Sequence, residues 1–179
     1  MQDGYGLAVD RLMSLADFER SRHSPKHRTF RLERIRALLK RLGDPHLSVP
    51  TLHITGTNGK GSTSAMLSSM LTAHGLLVGL YTSPHLHRVT ERIRHGLDPI
   101  DPETFAALVD SIWKPLQQVV DETPFGEPTT VEALTAMALL HFQQSEVDVQ
   151  VIEVGLGGEF DSTNVVTPDV CAITNINFD

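Results

Sequence analysis

The residues best suited to chemistry lie in one short stretch, residues 51–62, which reads Thr-Leu-His-Ile-Thr-Gly-Thr-Asn-Gly-Lys-Gly-Ser. Glycines let backbone N–H groups converge on phosphate oxygens, and the start of a following helix adds partial positive charge. Lys60 would place a point charge at the outer phosphates, and Ser62 would place a hydroxyl near a bound magnesium ion. The stretch therefore predicts a phosphate-binding loop.

This loop departs from the generic pattern G-x-x-x-x-G-K-[ST]. Ile54 stands where the first glycine should be, and Gly61 lies between Lys60 and Ser62. The alternative is a glycine-rich turn that binds nothing. Glycine at a helix start costs about 1 kcal/mol relative to alanine, so two glycines flanking a lysine there favour a ligand site.

Two further segments carry candidate side chains. Glu153 lies near the end of the apolar run 147–154 and precedes a glycine-rich loop that contains Asp161 and Asn164. A carboxylate at the end of a buried strand costs several kcal/mol unless it is paired or binds a metal, so Glu153 is interpreted as functional. In the polar, irregular segment 82–96, two alternating histidines at 85 and 87 are weak metal-ligand candidates, and an exposed loop is the alternative.

The elements around these residues alternate between strands and helices, which predicts an α/β fold with a parallel sheet and right-handed crossovers. Predicted strands are a short one before the loop, a doubly buried one at 76–81, and others at 147–154 and 170–174. Two helices are predicted before the loop, at about residues 6–19 and 29–42. A third follows the loop, with Met66, Leu67, Met70 and Leu71 on one face. Asp101 and Pro102 open a fourth, and a Thr129–Glu132 capping box opens a fifth that reaches about Gln144.

Composition fits one globular domain, with 40% hydrophobic and 21% charged residues. The single cysteine, Cys171, lies in an apolar stretch and is predicted to be a packed core thiol in a reducing compartment. Residues 1–15 carry acids and no apolar run, so they are not expected to be a signal peptide, and no membrane-spanning segment is expected.

Charge is uneven along the chain. Residues 1–41 carry 10 Lys and Arg against 5 Asp and Glu, whereas the remainder carries 5 against 17, for a net charge of −7. A basic N-terminal third is compatible with nucleic-acid binding. Because the arginines alternate with the helical stripe Leu32, Ile35, Leu39 and Leu42, a solvated helix face is the favoured interpretation, and no nucleic-acid partner is expected.

Three segments, in this order, resemble the folylpolyglutamate synthase/dihydrofolate synthase family of the Mur ligase superfamily. They are residues 52–62 of the loop, Tyr-Thr-Ser-Pro-His-Leu at 81–86 with Glu-Arg-Ile at 91–93, and Val-Ile-Glu-Val-Gly-Leu-Gly-Gly at 151–158 with Asp161 and residues 163–166. The inserted Gly61 belongs to the loop of this family. The resemblance covers nearly the whole chain and implies a P-loop NTPase-like Mur ligase central domain, with its parallel sheet flanked by helices and incomplete at the C-terminus.

The resemblance implies an ATP-dependent amide ligase of folate biosynthesis and one-carbon metabolism. ATP would phosphorylate a carboxylate of a folate or dihydropteroate, and the amine of L-glutamate would displace phosphate from the acyl phosphate. Mg²⁺ would neutralise charge so that two anions can approach each other. The implied partners are these small molecules, without nucleic acid or membrane, and the full-length protein is expected to be a cytoplasmic monomer.

The resemblance also assigns residues. Lys60 and Glu153 would be catalytic, and Ser83 and Glu153 would bind magnesium, so Ser83 and Glu153 are predicted to lie close together. Nucleotide would be bound by Gly56, Thr57, Asn58, Gly59, Lys60, Gly61, Ser62 and Thr63. The pterin substrate would be bound by Thr82, Ser83, Pro84, His85, Leu86, Glu91 and Arg92.

Two departures from the family qualify this interpretation. Glu159 stands where the family often has arginine, and family members are much longer than this chain. The resemblance therefore implies an N-terminal fragment, inactive alone, in which a helical segment 1–48 packs on a partial ATP-binding domain 49–179 and the C-terminal glutamate-ligase domain is absent. The alternatives are a nucleotide-binding fragment without turnover, or another Mur-type ligase such as a peptidoglycan-precursor enzyme.

Overall fold

The computed structural model describes residues 4–16 and 32–177 of the 179-residue chain. Its helices are α1 (Gly4–Met13), α2 (Glu33–Arg41), α3 (Lys60–Ala73), α4 (Pro102–Glu122) and α5 (Thr130–Gln144). Its strands are β1 (Thr51–Thr55), β2 (Val78–Tyr81), β3 (Ile93–His95), β4 (Asp98–Pro99), β5 (Val149–Glu153) and β6 (Val170–Ile173). Helix α1 ends at Met13, so the prediction of a helix reaching about residue 19 was wrong at residues 14–16. The predicted start of the second helix, at about residue 29, lies outside the described residues.

The six strands form one sheet in the order β4-β3-β2-β5-β1-β6. Strands β2, β5, β1 and β6 run parallel, as predicted for an α/β fold. The prediction of a wholly parallel sheet was wrong at one edge, where β3 and β4 are antiparallel. Residues 82–96 are therefore not irregular throughout, because Ile93, which is fully buried, pairs with Tyr81 and brings the chain back along β2.

The two faces of the sheet are covered unequally. Helices α1, α2, α4 and α5 share one large apolar core on one face. Helix α5 lies in the middle of this layer and is buried nearly all round from Thr130 to Phe142. The other face carries α3 alone among the described helices. It packs over β1, β2 and β5 on Ile54, Val78, Leu80, Val149 and Val151.

The two predicted helix starts are confirmed. Asp101 is the N-cap of α4 and directly precedes Pro102. Its carboxylate accepts a hydrogen bond from the backbone N–H of Thr104 at 2.7 Å. Thr129 and Glu132 form a reciprocal capping box, in which each side chain accepts from the other's backbone N–H, at 3.2 and 2.7 Å. These caps satisfy N–H groups that the first turn of a helix leaves without partners.

Helix α3 confirms half of the predicted apolar face, since Leu67 and Leu71 pack against the sheet core, whereas the two methionines do not. Met66 and Met70 are 58% and 53% exposed, whereas Ser64 and Ser68 are fully buried against the sheet. The Ser68 hydroxyl donates to the carbonyl of Gly96 at 2.9 Å. Small residues beside Leu67 and Leu71 let the helix lie close to the strands, so apolar spacing alone placed the buried face too far towards Met66 and Met70.

The sheet is more open at its other edge than the sequence predicted. Cys171 on β6 is exposed, not a packed core thiol, because β6 is the outermost of the described strands on that side and its residues are half-buried at most. The strand expected at 76–81 begins only at Val78, and Leu76 and Leu77 are 38% and 44% exposed. Apolar runs therefore overstated burial at both places.

The described arginines of the basic N-terminal third include several paired within the fold. Arg11 contacts Asp110 at 3.1 Å, Arg34 contacts the buried Glu132 at 3.2 Å, and Arg41 contacts Glu122 at 2.8 Å.

The helices of the described ranges include none with the length and apolar character needed to cross a membrane.

Candidate functional site

The glycine-rich loop joins β1 to the start of α3 at the carboxyl edge of the sheet. Gly56 and Gly59 have φ values of +134° and +80°, which favour glycine. Within the described chain, the backbone N–H groups of residues 59–62 have no recorded acceptor, as expected in the first turn of a helix. These N–H groups and the positive end of the helix form an anion-binding surface.

Lys60 folds back over its own loop. Its Nζ donates to the carbonyl oxygens of Gly56 and Thr57, at 2.7 and 3.3 Å. The ammonium group is therefore held beside the open N–H groups by the loop. Ser62 and Thr63 lie in the first turn of α3, directly after Lys60 and Gly61.

Glu153 ends β5, the strand next to β1, and is only 4% exposed. Its Oε2 accepts a hydrogen bond from the backbone N–H of Ser83 at 3.0 Å, so the predicted closeness of Ser83 and Glu153 is confirmed. Burial raises the pKa of the Glu153 carboxyl group above its usual value, the Ser83 N–H and the Lys60 charge oppose that rise, and Asp161 adds to it. Glu153 is thus a buried acid beside a cation.

The surroundings of Gly61 explain why this loop departs from the generic pattern G-x-x-x-x-G-K-[ST]. A β-carbon at Gly61 would lie 3.3 and 3.5 Å from the two carboxylate oxygens of Glu153. The inserted glycine therefore lets the start of α3 approach the carboxylate directly, and it brings loop and acid into one site.

Asp161 organises the glycine-rich loop that follows β5. Its carboxylate accepts hydrogen bonds from the backbone N–H groups of Gly155, Leu156 and Thr163, at 3.1, 3.0 and 2.9 Å. The Thr163 hydroxyl also contacts Asp161 and lies 2.8 Å from Nε2 of the buried His53. Burial lowers the pKa of His53 despite the nearby Asp161 charge.

The predicted substrate loop is shaped by Glu91 and Arg92. The Glu91 carboxylate accepts from the backbone N–H groups of Leu86, His87 and Arg88 at 2.8 to 3.0 Å, and these bonds lower its pKa to about 2. Arg92 is buried, and its Nε donates to Nδ1 of His85 at 2.9 Å. These contacts fix the loop, while Leu86 remains 85% exposed.

The oxygen atoms around Glu153 suit Mg²⁺, which needs few protein ligands, better than a metal ion that takes all of its ligands from protein side chains. No group of three or more His, Cys, Asp or Glu side chains capable of binding a metal occurs in residues 4–16 or 32–177, so His85 and His87 form no such cluster. Magnesium keeps several waters and takes one or two carboxylates together with substrate phosphates. A buried, protein-shielded carboxylate next to Ser83 and a phosphate-binding loop supplies such a set.

Sequence reasoning missed the residues that hold the loops from behind. Thr174 and Asn175, just after β6, bond to residues 55–58 of the phosphate loop. His53, in the middle of β1, reaches the Asp161 loop through Thr163. No sequence signal joined these segments, which lie more than 100 positions apart.

Comparison with known proteins gives a consistent set of relatives. The chain is 45% identical over 149 residues to a dihydrofolate synthase/folylpolyglutamate synthase of Bacillus subtilis, covering 83% of this chain and 34% of that protein. The chain thus spans about a third of the length of this relative. No protein-family profile matches the chain.

Solved structures agree in fold. An FPGS–AMPPCP–folate complex superposes with a TM-score of 0.88 at 38% identity, over 98% of this chain and 41% of that one. A Mycobacterium tuberculosis folylpolyglutamate synthase complexed with ADP gives a TM-score of 0.85 at 37% identity, over 98% and 37% of the two chains.

Proposed function

The chain belongs to the folylpolyglutamate synthase/dihydrofolate synthase family, matching its N-terminal part, and we propose that it supplies the nucleotide-binding site of an ATP-dependent ligase that adds glutamate to a folate or dihydropteroate. The observation that carries this proposal is the contact of the loop with Glu153: open N–H groups, Lys60 and a buried carboxylate meet at one edge of the sheet. The extent of the two proposed domains, 1–48 and 49–179, stays a prediction.

The backbone N–H groups of residues 59–62 and the side-chain ammonium group of Lys60 would bind the β- and γ-phosphates of ATP. Backbone N–H groups fixed before the reaction need no reorganisation as charge develops, which is the main source of electrostatic catalysis. The Lys60 ammonium would exchange its two loop carbonyls for phosphate oxygens. Similar proteins solved as complexes with ADP or AMPPCP support nucleotide binding as part of this proposal.

Glu153 and Ser83 would hold Mg²⁺. When bound, this ion neutralises phosphate charge so that a carboxylate can approach. Lys60 and the metal would both favour the ionised form of Glu153, against the effect of burial. Glu91 would keep the 82–92 loop in the shape that accepts the pterin substrate, and Arg92 would hold His85 in that loop.

The reaction would proceed in two substitutions. A carboxylate oxygen of the substrate attacks the γ-phosphorus, the bond to the β-phosphate oxygen breaks, and ADP leaves with that electron pair. The amine of glutamate then attacks the carbonyl carbon, loses a proton, and displaces inorganic phosphate. Holding the reactants together contributes up to about 7–11 kcal/mol to such a step.

The test measures glutamate addition by mass spectrometry, with ATP, magnesium chloride, glutamate and either dihydropteroate or tetrahydrofolate. It uses the native-length protein, by which we mean the protein as the cell makes it. Lys60→Ala should abolish product while Lys114→Ala, an exposed lysine on α4, retains it. Nucleotide binding without product from the unmodified protein would favour the alternative of a binding module without turnover. Inactivity of residues 1–179 alone, a cytoplasmic location and a monomeric state stay predictions.

A further inference from the structure

The segment that follows β6 contacts the phosphate loop through both its backbone and its side chains. The carbonyl oxygen of Asn175 accepts the backbone N–H of Thr57 at 3.0 Å. The side-chain Oδ1 of Asn175 accepts the backbone N–H of Asn58 at 2.9 Å. The Thr174 hydroxyl donates to the carbonyl of Asn58 at 2.7 Å. Three consecutive hydrogen bonds thus join residues 57–58 to residues 174–175.

Gly56 permits this contact. A β-carbon at Gly56 would collide with the Thr174 hydroxyl and would lie 2.9 and 3.0 Å from the backbone O and N of Asn175. Any side chain at position 56 would therefore push the two segments apart. The left-handed φ of Gly56 and the lack of space act at the same point of the chain.

These bonds divide the loop into two parts. The N–H groups of Thr57 and Asn58 already have acceptors on Asn175 and are not available to a phosphate. The carbonyls of Gly56 and Thr57 accept from Lys60. The N–H groups of residues 59–62 remain open for a ligand. The residues just before them are held by Asn175 on one side and by Lys60 on the other.

We propose that Asn175 is a positioning residue for nucleotide binding, which fixes residues 57–58 so that the N–H groups of residues 59–62 are ready for phosphate oxygens. The proposal rests on the proposed function and extends it to a residue that acts through residues 57–58. A loop held in its binding conformation loses less entropy when the ligand arrives, and this gain appears as affinity.

The variant is Asn175→Ala in the native-length protein, with Gln143→Ala as the matched control. Gln143 donates one exposed side-chain amide hydrogen bond at 2.8 Å to Ser48, which precedes β1 and so lies at the opposite end of that strand from the loop. Binding of ATP in the presence of magnesium chloride is measured by calorimetry, thermal unfolding by fluorescence, and exchange of the Asn58 amide by NMR.

We expect Asn175→Ala to weaken ATP binding about tenfold, equal to ~1.4 kcal/mol, and to speed Asn58 amide exchange, with a Tm change no larger than that of Gln143→Ala. Asn175→Asp retains an acceptor oxygen and should keep the Asn58 amide protected. ATP affinity of Asn175→Ala within twofold of the unmodified protein, or a loss of affinity matched by a general loss of stability, would overturn the inference. Failure of the unmodified protein to bind ATP would instead overturn the proposed function.

Discussion

Gly61 and Glu153 approach so closely that even a β-carbon on Gly61 would force the carboxylate to shift. A β-carbon on Gly61 would stand 3.3 Å from Glu153 Oε1, closer than such contacts normally are. The start of α3 and the end of β5 are thereby joined in one site, with the helix's positive end against the acid. This contact is the geometric basis of the proposed site.

The first prediction concerns this contact. Gly61→Ala should lower ligation at least tenfold, because the added methyl group displaces the Glu153 carboxylate by a few tenths of an ångström. Thermal stability should stay equal or rise, since alanine favours a helix over glycine by up to about 1 kcal/mol. Gly4→Ala is the control, because Gly4 also lies in the first turn of a helix and has open space around it. Equal activity of Gly61→Ala and the unmodified protein would contradict the contact.

The second prediction separates stability from activity at Glu153. Its folded-state pKa is raised by burial, so its charge destabilises the fold above the ordinary carboxyl pKa, and this cost is relieved as pH falls. Glu153→Gln should therefore raise Tm at pH 7, by ~2–4 °C per kcal/mol gained, and abolish ligation. The gain in Tm should disappear as the pH falls below the usual carboxyl range.

Glu132→Gln is the contrasting variant for that experiment. Glu132 is similarly buried, at 6% exposed, but it caps α5 and contacts Arg34. Removing its charge should lower Tm, because a buried arginine contact and part of a cap are lost. Both variants shifting Tm in the same direction would show that Glu153 is not set apart by its environment.

The third prediction tests Asp161 as the organiser of the loop after β5. Asp161→Asn replaces one acceptor oxygen with an NH₂ group that faces N–H donors, so at least one of the bonds to Gly155, Leu156 and Thr163 is lost. The free energy of unfolding should fall by about 1–3 kcal/mol, measured by urea titration. Asp110→Asn, an exposed partner of Arg11, should change it by about 0.5 kcal/mol or less. Equal effects of the two variants would contradict the role of Asp161.

The fourth prediction is a pH dependence of folding. His141 is buried and stacks on His95 with ring centroids 4.8 Å apart, and burial followed by the charge of His95 lowers its pKa from 6.5 to about 4. The unfolded chain therefore binds a proton at a higher pH than the fold does, and stability falls as the pH drops from about 6.5 towards 4. His141→Phe should lose less stability between pH 7 and 5 than the unmodified protein. Parallel losses in the two proteins would exclude His141 as a cause.

The local parts of the site could be predicted from the sequence. The lysine between glycines, the acid ending an apolar strand, and the caps of α4 and α5 each have a short-range signal that the structure confirms. The neighbourhood of Ser83 and Glu153 followed from both standing after parallel strands.

The remaining features depend on contacts between distant segments. The return of β3 along β2 depends on Glu91 gathering three backbone N–H groups, which no periodicity records. The exposure of Cys171 follows from the position of β6 at the sheet edge, and the burial of Ser68 follows from how closely α3 approaches. Asn175 gives no local sign of contact with a loop 117 residues earlier.

The central claim is that Lys60 and the N–H groups of residues 59–62 bind the phosphates of ATP. The most direct measurement is calorimetric titration of the native-length protein with ATP in the presence of magnesium chloride, compared with its Lys60→Ala and Lys114→Ala variants. We predict saturable binding to the unmodified protein and to Lys114→Ala, and a loss of at least a hundredfold, about 2.7 kcal/mol, in Lys60→Ala with its Tm unchanged. Equal affinity of Lys60→Ala and the unmodified protein, or no binding to either, would contradict the account.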